Sequence, residues 1–63
     1  MEPVKTLREP EMRKSLEKGE TFVLWDGSGS YCACRWDGHE AHPLGTVTGD
    51  FDEALRIAER ERA

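Results

Sequence analysis

The sequence is short of nearly everything a catalytic or secreted protein needs. Cysteine occurs twice, as Cys32 and Cys34, too few and too close for the disulfide framework of a small secreted domain. No apolar run approaches membrane-spanning length, and the start Met-Glu-Pro-Val-Lys lacks the apolar core of a signal peptide. A soluble protein of a reducing compartment is expected, and the cytoplasm is the location assigned. Basic residues are outnumbered by acidic ones, 9 to 13, for a net charge of −4. Residues 21–49 carry Arg35 as their single Lys or Arg against Asp26, Asp37 and Glu40. A surface that tracks phosphates needs several cations on one face, so nucleic acid is not the expected partner. With 63 residues the chain makes one small domain, burying only ~60% of the surface its unfolded form exposes.

What is there begins with the last stretch. Phe51, Ala54, Leu55 and Ala58 fall at i, i+3, i+4 and i+7, with Ile57 widening the stripe, which predicts an amphipathic helix over 50–62. Asp50 is placed to cap it, and Glu53, three residues on, to return to the Asp50 N–H as a capping box. Its apolar face requires a surface to cover. Thr21-Phe22-Val23-Leu24-Trp25 is β-branched and aromatic, and Tyr31-Cys32-Ala33-Cys34-Arg35-Trp36 follows across Asp26-Gly27-Ser28-Gly29-Ser30. These read as strands 21–25 and 31–36 paired in a hairpin. Alternation sends Cys32, Cys34 and Trp36 to the core and leaves Tyr31, Ala33 and Arg35 on the other face. The strand 21–25 is apolar on both faces, as expected of a central strand or of one covered by a helix. A third strand is predicted over 44–48.

Ahead of the hairpin, residues 1–9 read as a loose arm anchored by Val4 and Leu7, and Pro10 to Lys18 as a short helix ending at Gly19. The expected fold is therefore α+β: a short N-terminal helix, a three-stranded antiparallel sheet and a C-terminal amphipathic helix packed on it. The helix 10–18 carries the one basic cluster, Arg13, Lys14 and Lys18, which Glu11 and Glu17 balance.

Cys32, Cys34, His39 and His42 form C-x-C-x4-H-x2-H, an alternative zinc set. C-x-C in a strand does not let a turn wrap both sulfurs around one ion, so no metal and no cofactor is assigned; the thiols read as small core fillers. A cysteine nucleophile with a histidine base would need an activated thiolate and a pocket that this short sheet has little room to build. No enzymatic activity is expected. Trp25, Tyr31 and Trp36 are the best binding candidates, because an aromatic ring in a desolvated pocket often dominates the affinity of a protein interface. Trp36 and Trp25 read equally well as core, and Trp25 and Tyr31 enter the binding set. With Arg35 and the acids Asp26, Asp37, Glu40, Asp52 and Glu59 they make the expected partner-binding set.

Gly29-Ser30-Tyr31, then Gly45-Thr46-Val47-Thr48-Gly49-Asp50-Phe51-Asp52-Glu53-Ala54-Leu55 and Ala58, resembles HicB-like antitoxin domains over residues 29–58. The resemblance implies a domain that binds and neutralises a partner protein, typically a ribonuclease toxin. Asp37-Gly38-His39-Glu40-Ala41-His42-Pro43 stands where that family carries a Pro-rich segment. The functional expectation is a non-enzymatic inhibitor or antitoxin-like protein, a class that includes phage-encoded anti-CRISPR proteins. It would dock an acidic, aromatic-bearing surface on a basic nucleic-acid-handling protein or complex, with self-association left open. The alternative is a small nucleic-acid-binding domain using Arg13, Lys14, Lys18, Arg35 and the aromatics.

Overall fold

The structure, a computed structural model, describes residues 3–62. Its centre is a mixed four-stranded sheet in the order β1-β2-β3-β4, formed by Lys5–Leu7, Thr21–Trp25, Tyr31–Trp36 and Ala41–Pro43. β1 runs parallel to β2, with Lys5 opposite Phe22 and Leu7 opposite Leu24; the other two pairings are antiparallel. The first helix, α1, spans Met12–Ser15 behind a 3-10 turn at Glu9–Glu11, and α2 spans Phe51–Glu61. Among the described residues no helix is long and apolar enough to cross a membrane.

β2 is the axis of packing. Phe22 and Val23 are both fully buried, and they point to opposite faces. Phe22 joins Leu16, Cys32, Cys34 and Trp36 beneath the 3-10 turn and α1, with Leu7, Met12, Leu24 and Ala41 around them. Val23 joins Ala33, Ala54 and Ala58 beneath α2, with Tyr31, Phe51, Leu55 and Ile57 around them. The central-strand expectation holds, with a helix on each face. Cys32, Cys34 and Trp36 are core as expected, whereas Ala33, placed by alternation on the outer face, is 1% exposed because α2 lies on that side. Small side chains at Ala33, Ala54 and Ala58 let α2 approach the sheet closely.

Three other expectations change. The arm 1–9 contains β1, which residues 8–20 connect to β2 in the crossover of about a dozen residues that parallel pairing requires. The helix 10–18 is shorter: Leu16 turns extended (φ −112°, ψ 144°) and enters the Phe22 cluster. Gly19 then takes φ +90° while its N–H donates to the Trp36 carbonyl at 2.6 Å. The third strand lies at Ala41–Pro43, not 44–48. A regular ladder continuing from Cys34 opposite Pro43 would bring Thr46 to Tyr31; the observed partner is Thr48, so two residues bulge outward. Val47, in the bulge, is 66% exposed.

α2 lies inside its expected bounds of 50–62, with Asp50 as N-cap accepting from the Asp52 and Glu53 N–H groups and Arg62 as C-cap. The capping box does not form. The Asp50 N–H goes to the Thr48 hydroxyl at 3.1 Å, and that hydroxyl donates to Glu53 at 3.4 Å.

A candidate protein-docking surface

The ring surface is assembled from three elements. Trp25 ends β2 and Tyr31 opens β3, so the hairpin register places them directly opposite one another. Their rings lie nearly parallel with centroids 6.5 Å apart. Phe51, the first residue of α2, meets Tyr31 edge-on at 5.3 Å. All three side chains are half-buried. With Thr6 of β1 they line an open, predominantly apolar surface at the hairpin end of the sheet. Phe51 reads as core in the sequence because it completes the apolar stripe; its place in the first turn after the cap sets it at the rim.

The hairpin loop beside the rings is held by one carboxylate. Asp26 Oδ1 accepts from the Ser28 N–H at 2.8 Å and the Ser30 N–H at 3.1 Å, bonds that hold its carboxyl below the ordinary range and keep it ionised. Across the loop, a side chain at Gly49 would stand 3.7 Å from the Gly29 carbonyl, so the hairpin abuts the turn that delivers Asp50 and Asp52. Asp26, Asp50 and Asp52 are all exposed. Among the described residues a cation lies over one of the rings: the Arg8 guanidinium sits 5.9 Å from the Trp25 ring centroid. It is also close to Gly27, where an added Cβ would lie 3.4 Å from three of its atoms. The Trp25 Nε1–H is buried and has no hydrogen-bond partner among the described residues.

Comparison with protein-family models, curated proteins and solved structures gave no match.

The remaining expected site residues do not join this surface. Arg35, paired with Thr21 at the far end of the hairpin, donates through Nη2 to the Glu61 carbonyl at 2.6 Å and so caps the end of α2. Glu59 lies on the last turn of the same helix. Asp37 and Glu40 belong to the β3–β4 turn. Asp37 Oδ1 accepts from the His39 and Glu40 N–H groups, both at 2.7 Å, while Oδ2 meets His42 Nε2 at 2.6 Å. The Glu40 N–H foremost, then His42, holds the Asp37 carboxyl well below the usual carboxylate range; Asp37 in turn raises the His42 imidazole.

The C-x-C-x4-H-x2-H set is divided. Both thiols lie in the Phe22 cluster, and His42 is engaged by Asp37, so the ligand atoms that gather within 4.8 Å belong to Asp37, Glu40 and His42. Burial first, then Cys32, pushes the Cys34 thiol up to about 12, the opposite of an activated thiolate. Arg13 and Lys14 lie on α1, across the sheet from the rings.

Proposed function

We propose that this protein is a non-enzymatic protein-binding module that docks the Trp25–Tyr31–Phe51 surface, bordered by Asp26, Asp50 and Asp52, onto a basic face of another protein. The observation that carries the reading is the convergence of three half-buried rings from β2, β3 and α2 on one open surface at the end of the sheet. Aromatic anchors within a polar border are the usual energetic centre of a protein interface. A standard interface buries about 800 Å² per partner, roughly a fifth of the 4367 Å² this chain exposes. The rings would then be its centre, with the hairpin loop and the first turn of α2 as its margin.

An inhibitor or antitoxin-like role is the reading of this surface, and the resemblance of residues 29–58 to HicB-like antitoxins agrees with it. Charge complementarity to a nucleic-acid-handling partner would speed encounter and select against acidic surfaces. The basic residues Arg13 and Lys14, across the sheet from the rings, do not add the cationic groove that a stacking platform for single strands uses.

The test is capture of partners from a host lysate by tagged protein, with and without nuclease, using the wild type and Tyr31→Ala. A protein retained after nuclease and lost with Tyr31→Ala, at unchanged circular dichroism, is the expected outcome; an anchor worth ~2 kcal/mol or more weakens binding about 30-fold. Recovery that collapses with nuclease overturns the reading in favour of nucleic acid.

A further inference from the structure

Arg8 shows what the ring surface accepts. Its guanidinium lies over the face of Trp25, where a side chain at Gly27 would meet it, so one ring of the three already holds a cation. Guanidinium over an indole face is drawn there by the ring quadrupole. Tyr31 and Phe51 present further ring surface on the same open face, with no cation placed over either among the described residues. The exposed charges of the adjoining hairpin loop and of the cap and first turn of α2 are carboxylates: Asp26, Asp50, Asp52 and Glu53. Arg8 already stands beside Asp26; an apolar partner segment would bring no counter-charge to the exposed carboxylates at the start of α2. A cationic side chain satisfies rings and carboxylates together.

We infer that the Tyr31–Phe51 side of this surface receives a guanidinium-bearing side chain of the partner protein, with Arg8 as the chain's own occupant of the adjoining Trp25 face. The inference rests on the docking reading above and names the chemistry of the group that docks. It also assigns Arg8 a restraining role. A cation held on Trp25 repels a second one arriving beside it and removes the best ring of the three from use. Removing it should open the full surface.

The probe is a short capped glycine peptide carrying one arginine, compared with the same peptide carrying citrulline, whose ureido group has nearly the shape of guanidinium and no charge. Binding is followed by NMR on the rings of Tyr31, Phe51 and Trp25, with Trp36, 3% exposed, as the internal reference for the fold. The expected result is shifts at Tyr31 and Phe51 but not at Trp36, with the arginine peptide about twofold to fivefold tighter than the citrulline one. Asp52→Asn, a change at an exposed side chain, should narrow that ratio. Arg8→Ala should tighten the arginine peptide specifically and extend the shifts to Trp25. Equal binding of the two peptides, or arginine shifts confined to residues outside the ring surface, overturns the inference while leaving partner capture through Tyr31 to stand or fall on its own experiment. If Arg8→Ala loosens the fold, seen as movement of the Trp36 signal, the Asp52→Asn ratio decides, and an unchanged ratio also overturns it.

Discussion

Replacing Thr21 by valine tests how α2 is fastened to the sheet. Thr21 is 5% exposed, and its hydroxyl donates to the Ala58 carbonyl at 3.1 Å, joining β2 to the last turns of α2. The N–H that a continuing helix would bring to that carbonyl belongs to Arg62, which donates to Glu59 instead. Thr21→Val keeps the shape and removes the donor. A buried carbonyl deprived of its partner costs about 1–3 kcal/mol, and the added apolar methyl returns up to ~0.8 kcal/mol. The net loss is ~1–2 kcal/mol. At 0.05–0.15 kcal/mol per residue, a 63-residue domain has only ~3–9 kcal/mol in all. One kcal/mol moves Tm by ~4–8 °C at this size, so Thr21→Val should lower Tm by about 5–15 °C in thermal unfolding followed by far-ultraviolet circular dichroism. Thr21→Ser retains the hydroxyl and should fall less. The reasoning is refuted if Thr21→Val melts at or above the wild-type temperature, or if Thr21→Ser is the more damaging of the two.

Three further outcomes follow from the packing and the charges. Ala58 is fully buried against Val23 and Ala33, so Ala58→Leu should cost about 1–3 kcal/mol through overpacking, read as a lower urea midpoint at unchanged slope. Cys34, with its thiol pushed up to about 12, should resist a disulfide reagent at pH 8 in the native protein and react promptly once guanidinium unfolds the chain. His42, raised above its ordinary value by Asp37, contributes stability that is fully present below the unfolded value near 6.5 and is lost as pH rises through the folded one. Its ring protons should therefore titrate above 6.5 by NMR and move back down in Asp37→Asn; a titration below 6.5 in the wild type would contradict the 2.6 Å pair.

How much of this was legible depended on the range of the interactions. α2 and its Asp50 cap are set within one stretch of chain, and they lie where the apolar spacing places them. The hairpin was equally local, since Asp26 and the glycines of its loop are adjacent in sequence to the strands they join. Even there the capping box failed, because Thr48 competes for the Asp50 N–H and nothing in the spacing of Asp50 and Glu53 reveals it. β1 was hidden because three residues, Lys5-Thr6-Leu7, carry too little pattern, and its pairing is with a strand well downstream. α1 ends where Leu16 turns extended and enters the Phe22 cluster, a tertiary contact that local spacing does not reveal. Ala33 was misplaced since alternation separates two faces and does not say which one a helix covers. In the candidate site, Trp25 and Tyr31 were found by their chemistry and brought together by the hairpin register. The acids divide: Asp26 and Asp52 lie on the elements beside the rings, whereas Asp37, Glu40 and Glu59 lie away from them, because a shared sign of charge does not imply a shared surface.

The direction of β1 has a practical consequence. Because that strand runs alongside β2 in the same sense, the chain enters the described fold at the end of the sheet where β2 begins. α2 leaves at the same end, and Pro3, Val4, Thr21 and Arg62 border one shallow cleft there. Trp25, Tyr31 and Phe51 stand at the opposite pole. A tether joined just ahead of Pro3 or just after Arg62 would thus hold the described fold by its back and present the rings outward, so that immobilisation on a sensor chip, display on a particle or fusion to another domain would leave the proposed contact unobstructed.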